Sequence, residues 1–179
     1  NTRNILGECL NSIYTQTKDI EYEIILIDNA SSDGSADMVR EEFPRIILLE
    51  NKENRGFAAA NNQGMRIARA RYLLLLNPDT IVLDGAIQKL VAFADANHDM
   101  GVVGGQVWMN ENTLQKTCFS FPSVKWLIFS KAGLRRLFPR SRLFGGIDYG
   151  WWDRKAQMDV DVVSGMFMLV RREVLEQVG

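Results

Sequence analysis

Tyr72-Leu73-Leu74-Leu75-Leu76-Asn77-Pro78-Asp79 is the stretch on which the fold turns. An apolar run this short, ended this abruptly, predicts a strand buried on both faces of a parallel sheet. Pro78 has no N–H to give to a ladder, so pairing stops there. Asp79 then stands just past the carboxyl end of the strand, on the rim where open α/β sheets bind ligands. Ile24-Ile25-Leu26-Ile27-Asp28 repeats the design, an apolar run closed by an aspartate.

Working outward, residues 5–17 read as a helix with Leu6, Cys9, Leu10 and Ile13 on one face and Thr2 or Asn4 as its cap. A polar loop with an Asp33-Gly34 turn follows the first strand, and a short helix over 35–43 turns Ala36, Val39 and Phe43 inward before Pro44. Residues 45–50 form a strand, and 57–69 an alanine-rich helix carrying Asn61 and Asn62. A helix over 85–97 carries Ile87, Leu90, Val91 and Ala94 on one face, and His98 lies just beyond its end as a solvated or cap-region residue near the negative pole. Residues 102–108 add another strand. Strict alternation of helix and strand predicts a parallel sheet with helices on both faces. Right-handed crossovers then bring Asp28 and Asp79 to a shared rim.

The remainder is less regular. Residues 113–119 read as a strand. Residues 124–138 read as one helix mixing Trp126, Leu127, Ile128, Phe129, Leu134, Leu137 and Phe138 with cations. Residues 139–155, rich in Gly and Arg and holding Trp151-Trp152, read as a mobile loop. Two strands over 158–163 and 166–170 are interrupted by Ser164-Gly165, and a helix over 171–178 follows.

Composition bounds the function. At 179 residues, 46% hydrophobic and 24% charged, the chain suits one soluble domain with a sizeable core. A net charge of −1 gives no argument for nucleic acid. No apolar run approaches the ~20 residues of a membrane span, and the polar opening carries no signal-peptide pattern. Cys9 and Cys118 are too few and too far apart for a zinc site or a disulfide framework, and a buried thiol at Cys9 fits a reducing cytoplasm. The chain opens on a helix start and closes just after a helix, so both ends read as cut.

A strand-end carboxylate beside polar loops suits a hard cation. Mg2+ or Mn2+ takes one or two protein carboxylates and completes its shell with water and substrate phosphates. Asn77 and Asp79 flank a proline and both can face such a ligand; the competing reading is a simple turn. Asp28 can accept hydrogen bonds from a nucleobase imide or a ribose hydroxyl, or serve only as a cap or turn former. Asn54-Arg55-Gly56 precedes a helix whose N-terminus suits phosphate. With one histidine, Ser-His or Cys-His catalysis has little support, and no glycine-rich phosphate loop follows a strand.

Four motifs in this order are more specific together than singly: Asp28-Asn29-Ala30-Ser31-Ser32-Asp33-Gly34-Ser35, Asn54-Arg55-Gly56-Phe57-Ala58-Ala59-Ala60-Asn61-Asn62-Gln63-Gly64, Leu75-Leu76-Asn77-Pro78-Asp79, and Val163-Ser164-Gly165-Met166-Phe167-Met168-Leu169-Val170-Arg171-Arg172. They resemble the family 2 nucleotide-sugar glycosyltransferases of the GT-A fold, a Rossmann-like α/β/α sandwich with a mostly parallel central sheet. The nearest subgroup by resemblance is rhamnosyltransferase-like. The resemblance runs over 1–179, with 1–108 as the nucleotide-binding half and 109–179 as the acceptor-side half of a single domain.

It implies an inverting transfer of a hexosyl unit, rhamnose by subgroup, from a nucleoside diphosphate-sugar to an acceptor hydroxyl in cell-surface glycan synthesis. By the same resemblance Asp28 contacts the base or ribose, and Asn54, Gly56, Asn62 and Asn77 shape the nucleotide pocket. Asp79 coordinates the divalent cation, and Ser164-Gly165 lies under the donor sugar or acceptor. Asn77 stands where the family's first acidic residue is expected, which removes one charge from the cation site. The family's first strand is expected before Asn1 and its general base beyond Gly179, so no catalytic base is named. A sugar-nucleotide pyrophosphorylase, or a nucleotide-binding module without catalysis, is the alternative.

The basic segment Lys131, Arg135, Arg136, Arg140 and Arg142, beside Trp126 to Phe129, contains no acidic residue. It is expected either to meet a membrane surface carrying a lipid-linked acceptor, at the inner face of the cell membrane, or to be a solvated helix face over an ordinary core.

Overall fold

The structure, a computed structural model, describes residues 2–178; the side chain of Arg135 lies outside the described residues. The chain order is α1 (Arg3–Gln16), β1 (Ile25–Asp28), α2 (Ser35–Glu42), β2 (Ile47–Glu50), α3 (Phe57–Ile67), β3 (Tyr72–Leu76), α4 (Ala86–Ala96), β4 (Val102–Gly104), β5 (Trp108–Asn110), β6 (Thr113–Leu114), β7 (Cys118–Phe119), α5 (Val124–Lys131), α6 (Leu134–Leu137), β8 (Val162–Val163), β9 (Phe167–Arg171) and α7 (Arg172–Val178). The helix–strand alternation expected through β4 is present. The chain divides into two compact units: residues up to Val103 together with those from Leu169 on, and Gly104–Met168. Compactness thus divides the chain at other points than the functional halves read from sequence.

In the first unit, β1 and β2 pair in parallel, with Ile25 opposite Ile47 and Asp28 opposite Glu50. The crossover between them is α2, as a parallel pair requires. A second sheet has the order β3–β9–β4. The one parallel sheet expected from the alternation is thus met as two separately paired sheets. The last strand of the chain takes the centre because Phe167, Leu169 and Val170 make it the most buried of the strands. Among the described strands, β1 and β3 each stand at the edge of a sheet. Their burial follows from that. Every residue of β1 is half-buried, and only Leu73 of β3 is buried, so the expected burial on both faces is not reached.

The core follows helical periodicity. Leu6, Cys9, Leu10 and Ile13 are all buried, as are Met38 and Val39 of α2 and Ile87, Leu90 and Ala94 of α4. Ala36 is only half-buried, whereas Met38, on another face of α2, is buried. On α3, a Cβ at Gly64 would stand 2.9 Å from Cδ1 of Ile27, so the missing side chain sets how closely this helix lies on β1.

The second unit is built from short pieces. β5 pairs antiparallel with β6, and β7 with β8, each over two or three residues. The single helix expected over 124–138 is broken by Gly133 at φ 72°, a left-handed turn that glycine adopts freely. The loop expected to be mobile is instead a run of turns. Gly145, Gly146 and Asp148 are buried there, Gly145 N–H donates to the Ser141 carbonyl, and Asp148 pairs with Lys116.

Candidate active site

Two helix termini share one aspartate. Thr2 occupies the N-cap of α1 but makes no side-chain cap bond; the Arg3 N–H donates to Asp33 Oδ2 at 3.0 Å instead. The other oxygen of Asp33 accepts from the backbone N–H (3.1 Å) and hydroxyl of Ser35 at the start of α2. The hydrogen bond from the Ser35 hydroxyl is the largest reason its carboxyl is held down at about 2. Asp33, read from sequence as a turn residue, therefore fixes the loop that follows Asp28.

Asp28 ends β1 half-buried, and its Oδ2 accepts from the Ser31 N–H at 3.2 Å. Ala30, at φ 66°, turns the chain back beside it. Asn29 then joins this loop to the next one. Its Nδ2 donates to Oδ1 of Asn54 (2.8 Å), and its Oδ1 accepts from the Arg55 N–H (3.0 Å) and from Nδ2 of Asn51 (3.2 Å). Asn51 and Gln63 exchange amide bonds at 2.8 and 3.0 Å, which ties both loops to α3. Oδ1 of Asn54 also accepts from the Gly56 N–H at 2.9 Å. Gly56 sits at φ 80° with open space where a Cβ would be. Asp28, Asn54 and Gly56 are thus brought together by Asn29, Asn51 and Gln63, amides the sequence reading did not single out. A polar residue directly after a strand-end aspartate was the available signal.

Asn54, Gly56 and Asn62 are exposed, as is the first turn of α3 through Ala59. The solvent-facing start of a helix offers backbone N–H groups to an anion.

Asn77-Pro78-Asp79 is displayed on a clamped turn. The Asn77 carbonyl accepts from the Thr80 N–H (3.3 Å) and hydroxyl, and from the Cys9 thiol at 3.8 Å. Two residues beyond Thr80, the Val82 N–H donates to Ser12 Oγ at 2.9 Å. α1 therefore holds both ends of the turn through Cys9 and Ser12, while Pro78 and Asp79 are exposed between them. Burial pushes the Cys9 thiol up, Thr80 opposes this, and the charge of Asp79 adds to the rise, as proximity requires. Among the described hydrogen bonds none joins Asp79 to the Asp28 loop. Ser164 and Gly165 lie in the second unit, in the turn between β8 and β9, where the Ser164 N–H donates to the Thr117 carbonyl at 2.7 Å.

No group of three or more His, Cys, Asp or Glu side chains able to hold a metal occurs among the described residues. One exposed carboxylate fits a Mg2+ or Mn2+ ion that takes the rest of its shell from phosphates and water, and not an ion held by protein alone.

The opposite end of β3 is different in kind. The Tyr72 hydroxyl donates to Asp95 (2.7 Å) and accepts from Arg171 (3.1 Å), whose other nitrogens donate to the carbonyls of Ala94 (2.8 Å) and Met100 (3.3 Å). Arg172 donates to the carbonyls of Ala68 and Ala70, both at 2.7 Å. Arg171-Arg172, quoted above within the fourth motif, close the C-terminal ends of α4 and α3.

Known proteins similar to this chain bear on its family and fold. The sequence profile described as Glycosyl transferase family 2 matches residues 1–179. An uncharacterized glycosyltransferase of Methanocaldococcus jannaschii is 27% identical over 171 residues, covering 83% of this chain and 59% of the relative. A poly(ribitol-phosphate) beta-glucosyltransferase of Bacillus spizizenii is 27% identical over 124 residues, covering 66% of this chain and 20% of the relative. Among solved structures, a mannosyltransferase from Pyrobaculum calidifontis in complex with GDP-Man and Mn2+ superposes with a TM-score of 0.64 at 21% identity, over 100% of this chain and 44% of that one. TarS of S. aureus (1–349) gives 0.60 at 16% identity, over 99% and 46%. The fold is therefore that of GT-A glycosyltransferases, and the chain spans less than two thirds of the length of each of these proteins.

Proposed function

This chain belongs to glycosyl transferase family 2, and we propose that it forms the donor-binding core of an enzyme moving a sugar from a nucleoside diphosphate-sugar to an acceptor hydroxyl. The observation that carries this reading is the exposed carboxylate of Asp79 on a turn fixed at both ends by α1. A carboxylate held still, open to solvent and beyond a strand end is placed to take a divalent cation together with a diphosphate. Held by Asp79, a Mg2+ or Mn2+ ion would supply positive charge to offset the charge of the leaving diphosphate.

The remaining roles fall to the chain's own groups. Asp28 accepts from the base or ribose, while Asn54, Gly56 and Asn62 line the nucleotide beside the open N–H groups of α3. Asn77 uses its carbonyl to hold the turn, leaving its amide for the nucleotide. Ser164-Gly165 contacts the donor sugar or the acceptor. The transfer is inverting: the acceptor oxygen bonds to the anomeric carbon from the face opposite the departing diphosphate. A hexose, rhamnose by resemblance, is the proposed donor sugar, and a glycan or lipid-linked glycan the acceptor, with the protein working in the cytoplasm. The mannosyltransferase crystallised with GDP-Man and Mn2+ supports the donor class and the ion.

The reading is tested by titrating a panel of nucleoside diphosphates into the full-length protein, with and without Mn2+. Binding of at least one, tighter with Mn2+, is expected; binding of none overturns the reading.

A further inference from the structure

The segment over 121–143 has a surface that the transferase reading does not use. α5 buries no residue at all, and large apolar side chains stand out around it. Val124 is 71% exposed, Leu127 64% and Leu137 69%, and Phe121, Ile128, Phe138 and Leu143 are also more than half exposed. A single protein in water seldom leaves so much apolar surface together unless something covers it. Lys125, Lys131, Arg136, Arg140 and Arg142 are exposed in the same segment. From Asn112 through Ile147 the sequence contains no Asp or Glu.

We propose that this segment is a membrane-docking surface whose occupant is the headgroup and upper acyl region of an anionic phospholipid bilayer. Charge favours an anionic bilayer over a second copy of this chain. A second copy of the chain would set five exposed cations against the same five, with no acid in either segment to offset them. An anionic bilayer supplies the opposite charge and an apolar layer at once. Because the whole chain carries a net charge of −1, the attraction belongs to this segment and orients the molecule.

The shape agrees. No helix among the described residues is long and apolar enough to cross a membrane, and an eight-residue helix suits lying in the interface. Lys125 stands over the Trp126 ring at 5.1 Å and Arg142 over Trp151 at 4.7 Å, pairings of ring and cation that suit the headgroup level. An open groove of about 410 Å³ runs along α5, lined by Val124, Trp126, Leu127, Phe129, Phe144 and Ile147 among others, and offers an apolar surface to acyl chains. The inference does not rest on the transferase reading, because its readout is lipid binding.

Flotation of the full-length protein with vesicles of phosphatidylcholine alone, and with about 30% phosphatidylglycerol, tests it. The protein is expected to float with the anionic vesicles at low salt and to be released at high salt, where screening removes the attraction. Lys131→Ser with Arg136→Ser is expected to lower the partition coefficient about thirtyfold, about fivefold per cation. Leu127→Asp should abolish binding. Unchanged thermal unfolding of these variants separates lost docking from lost folding. Equal binding to neutral vesicles, binding to neither, or a dimer that Leu127→Asp dissociates would each overturn the proposal.

Discussion

β3 has two ends with opposite uses of charge. At its start, Tyr72, Asp95 and Arg171 spend their polar atoms on one another and on the carbonyls that α4 leaves open. At its finish, Asp79 is exposed, and the hydrogen bonds belong to the residues on either side of it. Charges satisfied within the fold stabilise it. A charge left out of those bonds, on a turn tied to α1 at either end, is available to a ligand. The family assignment says what kind of ligand to look for; the contrast says which end of the strand to look at.

The contrast can be broken by substitution. The largest expected change in stability is at the closed end. Arg171→Ala leaves the carbonyls of Ala94 and Met100 and the Tyr72 hydroxyl without their charged donor, and should cost about 3 kcal/mol in urea unfolding. Nucleoside diphosphate affinity of the folded fraction should be unchanged; a loss there would mean the two ends are not separate. A smaller effect is expected from Asn51→Ala, which removes the centre of the amide network: about 1 kcal/mol of stability, with weaker nucleotide binding because the Asp28 and Asn54 loops lose their tie. If affinity stays at the wild-type value, the network only supports the fold.

The smallest effect concerns acid. The Asp33 carboxyl is held from its ordinary 3.8 down to about 2. A depressed carboxyl contributes stability above its unfolded value and loses it as pH falls toward the folded one. Asp33→Asn should therefore flatten the decline in unfolding midpoint between those two values. An unchanged slope would show that the Ser35 and Arg3 bonds do not hold Asp33 in solution.

Much of the first unit was legible in the residues, and the reason is periodicity. Leu6, Cys9, Leu10 and Ile13 recur at helical spacing, and two apolar runs closed by aspartates mark β1 and β3. What was not legible depends on pairing between distant parts of the chain. Nothing local in Phe167–Arg171 says that it lies between β3 and β4. Likewise an arginine pair carries no sign of whose carbonyls it will meet, so Arg171-Arg172 read only as the end of the fourth motif. Asn29, Asn51 and Gln63 look like any solvated amides until the loops that hold them meet. In the second unit the run over 124–138 has helical composition, yet Gly133 divides it and α5 leaves Val124, Leu127 and Ile128 exposed. Composition predicted the helix but could not say what it would face.

In the proposed site Asp79 holds a divalent cation against a diphosphate while Asp28 serves the nucleoside. Calorimetric titration of a nucleoside diphosphate into full-length Asp79→Asn, with and without Mn2+, tests it most directly. Mn2+ is expected to tighten binding to the wild type and to leave binding to Asp79→Asn unchanged. The same gain from Mn2+ in the variant as in the wild type would contradict it.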